Sequence, residues 1–211
     1  PISKAVQASS ALPGLFPPVE IDAREWNALI PRDDAPFMRH EYLLALHESG
    51  SASPHTGWTP RFLALYAKER LQAACPLYLK THSYGEYVFD WAWANAYEQH
   101  GLDYYPKALV AVPFTPVPGP RLLARDATAR DALVRALLDW SRAEGVSSLH
   151  LLFTEEEDVR ACAGAGLMLR HGVQFHWTNP GWGSFDAFLA SLSQDKRKKI
   201  RQERRKVAEA G

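Results

Sequence analysis

The sequence predicts a mixed α/β fold, a mixed sheet with helices on its faces. Three observations predict it. Stretches with helically spaced apolar residues alternate along the chain with short strand-like runs. The 211 residues are 46% apolar and 23% charged, enough to bury one sizeable core. The longest apolar runs, Leu109 to Phe114 and Leu149 to Phe153, have strand length and fall far short of the roughly 18 residues that span a bilayer. A chain without a transmembrane segment is expected, and the opening PISKAVQASSALPGLFPP lacks the uninterrupted apolar core of a signal peptide, so the cytoplasm is the default location.

The elements follow in order. Residues 1–19, rich in Pro, Ser and Ala, read as a leader with little structure. Asp22 and Glu25 form a capping-box pattern in front of Trp26, Leu29 and Ile30, and Pro31 stops that helix. A second helix is expected from Arg39 to Glu48, with Gly50 as its stop. SASPHTGWTP is a turn-rich loop; RFLALYA and LQAACPLYLK then pair as a hairpin, with Pro76 forcing a bulge or an edge. YVFD predicts a third short strand, WAWANAYEQHG a helix ended by Gly101, and KALVAVPF a further strand before the loop TPVPGPR. Thr128 with Asp131 starts a helix whose inner face is Leu133, Val134, Leu137, Leu138 and Ser141, and Gly145 ends it. SLHLLF is a buried strand, Thr154 with Glu157 caps the next helix, and VQFHWTN alternates as a last strand. Phe185, Phe188, Leu189 and Leu192 make a helical stripe before a basic helix from Gln194 onward. The domain reading is 20–183, followed by a helical connection over 184–211.

Charge is distributed unevenly. KRKKIRQERRK at 196–206 holds eight Lys/Arg against one Glu, so the other 200 residues carry 16 basic and 23 acidic side chains, a net −7. Cys75 and Cys162, each in an apolar stretch, read as small core residues. No spacing of His, Cys or carboxylates makes a metal site. The densest chemistry lies between Tyr78 and Leu123. There Tyr84, Tyr87, Phe89, Trp91, Trp93, Tyr97, Tyr104 and Tyr105 crowd around Lys80, His82, Glu86, Asp90, Lys107 and Arg121, against a chain-wide aromatic fraction of 11%. That is the composition of a binding-cleft wall or of an aromatic core.

The element order is that of the GNAT acyltransferase fold. At residue level, PLYLKTHSYGEYVFDWAWANAY, GLDYYPKALVAVPFTPVPGPRLL, VQFHWTN and FDAFLASLSQDKRKKIRQERRKV resemble a bacterial family of predicted N-acyltransferases similar to the Fem-type peptidoglycan aminoacyltransferases. The resemblance covers nearly all of residues 20–211. It implies the first of two GNAT-like halves, an activated donor (aminoacyl-tRNA or acyl-CoA) and a peptidoglycan-precursor acceptor, with catalysis depending on a second half. The chain departs from the GNAT pattern after its fourth strand. TPVPGPRLLARDATA stands where acetyl-CoA enzymes place a glycine-rich pyrophosphate turn, and Pro116, Pro118 and Pro120 lack the N–H donors such a turn needs.

Amide-forming transfer needs a deprotonated amine and a stabilised oxyanion. Four residues apart on a strand, Glu86 and Asp90 would share a face and could hold an acceptor ammonium or take its proton; as ordinary strand-end carboxylates they would pair with Lys80 or Lys107. Lys80, His82, Ser83, Lys107 and Arg121, at strand ends, suit a phosphate or carboxylate, or are solvated charges. Trp91, Trp93, Tyr104 and Tyr105 offer a platform for a sugar, a base or an acyl chain. His176, with His150 on the neighbouring strand, is a candidate general base or a hydrogen-bonded core residue. Arg197, Lys198, Arg201, Arg204 and Arg205 present a cationic face for tRNA or another phosphate-bearing partner, or a solvated helix. A recognition module without chemistry, and an RNA binder acting through the basic helix, are the alternatives to an enzyme.

Overall fold

The structure, a computed structural model, describes residues 4–7, 21–31, 35–88 and 90–211. The chain divides into two compact units, Pro1–Leu169 and Arg170–Gly211. This division falls earlier than residue 183, the expected end of the first domain.

The first unit contains β1 (Lys4–Gln7), α1 (Ala23–Asn27), α2 (His40–Glu48), β2 (Trp58–Pro60), β3 (Leu63–Ala67), β4 (Arg70–Cys75), β5 (Leu77–Lys80), α3 (Trp91–Gln99), β6 (Lys107–Val110), β7 (Leu123–Ala124), α4 (Ala127–Glu144), β8 (Leu149–Leu151) and α5 (Glu156–Gly164). Among the described residues these strands form two four-stranded sheets, in the orders β1-β3-β4-β7 and β2-β5-β6-β8. The first is antiparallel throughout, and in the second β6 and β8 run parallel. β1 lies within residues 1–19, the stretch that reads as a leader with little structure; residues 1–3 and 8–19 lie outside the described residues.

Pro76 explains why there are two sheets. The run LQAACPLYLK was expected to be one strand, but proline offers no ladder donor, and the chain breaks there. Arg70–Cys75 pairs with β3 and β7, whereas Leu77–Lys80 pairs with β2 and β6. β2 itself begins in what reads as a turn-rich loop, and β6 is half the length KALVAVPF suggests, ending at Val110.

Period-two alternation then distributes the core. Leu63, Leu65, Ala73, Cys75, Leu77, Ala108 and Val110 face Ala129, Leu133, Val134 and Leu137 of α4. Their neighbours Ala64 and Ala74, with Leu71 brought to the same face by the register shift between β3 and β4, meet Trp26, Leu29, Met38 and Leu43 from the first two helices and the turn between them. On the second sheet, Trp58, Tyr78 and Leu109 form a third cluster with Ala52, Ala111 and Leu152. Caps differ in detail from expectation. Asp22 accepts from the N–H groups of Arg24 and Glu25, but Glu25 reaches away to the Leu71 N–H. Asp126, not Thr128, caps α4, and Glu155, whose side chain makes no capping bond, precedes α5 in place of the Thr154 box.

The second unit contains α6 (Phe185–Ala190) and α7 (Gln194–Ala210). The strand expected over VQFHWTN is absent: Val173, Phe175 and Trp177 are exposed by 82%, 98% and 68%. Alternation marks a stretch suited to a sheet, but a strand exists only where a neighbour supplies backbone partners. No strand is assigned over residues 173–179.

Candidate functional site

Cross-strand register assembles the site. Trp58 of β2 stands opposite Lys80 of β5, and Lys80 stands opposite Lys107 of β6. Directly opposed residues share a face, so two ammonium groups lie side by side at the end of the second sheet, both fully buried. Like charges so placed are costly unless carboxylates intervene. Residues 83–90 supply them.

They do so from a loop, not from the strand expected over YVFD. Gly85 and Tyr87 have φ of 80° and 59°, a left-handed backbone incompatible with a strand; residues 87 and 88 form none, and Phe89 lies outside the described residues. Glycine is required at 85 twice over, since a Cβ there would fall 2.6 Å from the Phe114 ring. Asp90 occupies the N-cap position of α3 without capping it, because its carboxylate is turned to Lys107. Glu86 and Asp90 therefore meet on Lys107, through a turn and a helix start.

The cluster is a connected network. Lys107 Nζ donates to Glu86 Oε2 at 2.8 Å, to Ser83 Oγ at 2.9 Å and, more closely still, to Asp90 Oδ2. Its three protons meet three acceptors. Tyr104 Oη donates to Asp90 Oδ2 at 2.7 Å and lies 3.3 Å from His150 Nε2, which is 2.9 Å from Ser148 Oγ. Tyr105 Oη is 2.8 Å from Ser83 Oγ.

Lys80 is held differently. Its Nζ donates to the Tyr84 carbonyl at 3.2 Å and sits 3.7 Å from the Trp58 ring centroid, with no carboxylate bonded to it among the described residues. Burial pulls its pKa down to about 8; the Glu86 charge opposes that fall and the Lys107 charge adds to it. Burial pushes Glu86 upward against the pull of Lys107. Asp90 is also pushed up by burial, but hydrogen bonds led by Lys107 outweigh this and hold it below the usual carboxylate range.

Three buried polar atoms of this cluster have no hydrogen-bond partner among the described residues: Glu86 Oε1, Asp90 Oδ1 and Trp58 Nε1. Each such atom costs about 1–3 kcal/mol. The other two atoms of this kind, Trp140 Nε1 and Ser141 Oγ, are consecutive on α4. Unfilled acceptors and an unfilled donor around two lysines are the chemistry of a polar ligand site.

The remaining candidates disperse. Trp91 and Trp93 are about half exposed on α3, where Trp91 meets Tyr84 edge-on, and Tyr84 meets His82. Arg121 does not join the cluster. Its guanidinium donates to the carbonyls of Leu152, Pro120 and Val117, and its own N–H, with that of Leu122, is accepted by Asp158 Oδ2. The proline-rich loop thus wraps its carbonyls around a buried arginine. His176 lies in the second unit, exposed and outside any helix or strand. On α7, Lys198, Arg201, Arg204 and Arg205 are exposed, Arg204 lying over the Phe185 ring at 4.3 Å, while Arg197 bonds the Ala190 and Leu192 carbonyls that end α6.

Sequence reasoning missed Trp58, whose place depends on a cross-strand register, and gave His150 less weight than His176. It also missed Asp158, an acid in the first turn of α5.

A mixed α/β protein with a buried lysine–carboxylate site at its strand ends is the class that fold and site define. The chain belongs to the FemAB-like family, one of peptidoglycan biosynthesis or recognition, which it matches over residues 18–211. That family is GNAT-like in fold, and membership implies peptidoglycan-related aminoacyl transfer in general. No curated protein and no solved structure matches the chain. No helix among the described residues is long and apolar enough to cross a membrane.

Proposed function

We propose that the chain is the first GNAT-like half of an N-acyltransferase that joins an acyl or aminoacyl group to an amine acceptor on a peptidoglycan precursor, with the Glu86–Asp90–Lys107 cluster as its amine site. The observation that carries this reading is the pair of unpartnered carboxylate oxygens, Glu86 Oε1 and Asp90 Oδ1, beside a lysine whose three protons are already committed. An incoming ammonium satisfies both oxygens. Glu86, pushed upward by burial, is the better of the two to take the proton that the amine must lose before it attacks a carbonyl. Asp90, held ionised by Lys107 and Tyr104, orients the amine.

The donor reading is aminoacyl-tRNA in preference to acyl-CoA, because the prolines of TPVPGPR remove donors that a pyrophosphate turn would use. The exposed cations Lys198, Arg201, Arg204 and Arg205 suit a phosphate backbone. The test is transfer of radiolabelled amino acid from charged tRNA to a muramyl-peptide precursor by the full-length protein. Glu86→Gln is expected to lower turnover by at least about 100-fold. Product formed at the wild-type rate would remove Glu86 from the chemistry. A second reading, a recognition module without chemistry, is favoured by the closure of the cluster from solvent, with Glu86 and Asp90 both 3% exposed. It predicts precursor binding without product at any donor concentration.

A further inference from the structure

We propose that the cluster selects an amine bearing a carboxylate on the same carbon, an amino-acid terminus, and that Trp58 Nε1 and Lys80 Nζ receive that carboxylate. This rests on the amine-site reading above and names the class of amine.

Two features of the site lead there. The first is the polarity of its unfilled atoms. Glu86 Oε1 and Asp90 Oδ1 await donors, but Trp58 Nε1, fully buried, awaits an acceptor, and an alkylammonium group has none to offer. Lys80 Nζ spends one of its three protons on the Tyr84 carbonyl and lies over the face of the Trp58 ring, so it keeps donors not given to any other hydrogen bond among the described residues. The second is charge. Lys80 and Lys107 balance Glu86 and Asp90 when all four are ionised. A bare ammonium would bring a third cation against two carboxylates into a site closed to water, where an uncompensated charge is strongly unfavourable. A zwitterionic terminus adds none. Its ammonium fills the two acceptors and its carboxylate fills the two donors, leaving the cluster neutral and every orphan atom paired.

The same chemistry is offered by a free α-amino acid and by a diamino-acid side chain whose far end carries both groups. Titration calorimetry of the full chain with three probes separates these sources: glycine, 2,6-diaminopimelate and cadaverine, which carries only bare ammonium groups. Diaminopimelate is expected to bind about tenfold or more tightly than cadaverine. Glycine matching diaminopimelate would assign the site to free amino acids; glycine binding no better than cadaverine would assign it to the side-chain terminus. Trp58→Phe keeps an aromatic ring near Lys80 and removes the N–H together with part of the indole, whereas Lys80→Met leaves the indole whole; both should narrow the diaminopimelate-to-cadaverine ratio to about twofold. Equal affinities for the two diamines in the unmutated protein, both abolished by Glu86→Gln, would overturn this inference and leave the amine site standing. No binding of any amine would overturn both. A ratio unchanged by Trp58→Phe and by Lys80→Met would remove the role given to these two residues.

Discussion

Two buried charge clusters in the first unit are completed differently. Around Arg121, the guanidinium donates to three backbone carbonyls, while Asp158 accepts two backbone N–H groups and pairs with Arg130 at 3.4 Å. No polar atom of Arg121 or Asp158 is left buried without a partner. Around Lys80 and Lys107, the carboxylates and the indole keep open positions. Burial acts on both, lowering Arg121 to about 10, raising Asp158 to about 6 and lowering Lys80 to about 8. A shifted pKa therefore does not distinguish a knot from a site. The count of satisfied bonds does, because a closed network can only hold structure, whereas an open one carries a standing cost that a ligand can remove.

The sharpest way to break this contrast is to cut the closed cluster. Asp158→Ala strands the Arg121 and Leu122 N–H groups and leaves Arg130 with Glu157 as its one ion-pair partner among the described residues, and should cost about 3–5 kcal/mol in urea denaturation. Amine binding at the other cluster should survive wherever the variant still folds. A loss below about 1 kcal/mol would mean that Asp158 is not what ties the proline-rich loop to α5.

Lys107 is the one member of the open cluster that resembles the closed one, since all three of its protons are bonded. Lys107→Met should cost about 3 kcal/mol near neutral pH. The deficit should shrink as pH falls, because Glu86 and Asp90, left without their cation, can then take up protons. A deficit independent of pH would show that lost packing, not lost charge, is responsible.

These clusters were unequally legible in the sequence. Glu86 and Asp90 stand out by spacing and by their aromatic surroundings, yet the strand that was to align them does not exist; Gly85 and Tyr87 turn the chain instead. Spacing survives such an error because a short loop and a helix start span a similar distance. Lys80 and Lys107 were legible as strand-end cations, and the two runs from Leu63 to Cys75 were legible as a hairpin. Trp58 was not legible, since its position opposite Lys80 is a fact of register between segments some twenty residues apart. Arg121 misled because a cation after a strand looks the same whether it meets a ligand or, as here, the carbonyls of its own loop. VQFHWTN misled in the opposite way, as a strand pattern without a paired strand.

Lys80 offers a gain where the previous changes cause losses. Its folded pKa lies below its unfolded value, so from about pH 8 to about 10 the unfolded chain binds more protons, and stability rises with pH across that window. Below it, the buried charge is a constant burden. Lys80→Met, of similar length and without charge, should raise stability by about 1–2 kcal/mol at pH 7 and abolish the rise above pH 8. If thermal denaturation shows a loss instead, the Tyr84 carbonyl bond and the contact with Trp58 outweigh desolvation, and Lys80 belongs with the closed cluster.

Glu86 should show the smallest stability effect and the cleanest sign. Burial raises its folded pKa above the unfolded value of about 4.3. Between those two values the folded state holds the extra proton, so stability falls as pH rises through the window and stays lower above it. Glu86→Gln fixes the side chain in a neutral form that still accepts from Lys107 at one atom. At neutral pH it should change stability by less than about 1 kcal/mol, because losing the ion pair with Lys107 is offset by relief from burying the charge. The downward slope above the unfolded value should vanish in the variant, as read by urea midpoints taken from pH 4 to 8. A slope that persists would assign it to Asp158, the other carboxylate raised by burial, and would make Glu86 a partner fully satisfied by Lys107. The contrast between an open and a closed cluster would then rest on Asp90 and Trp58 alone.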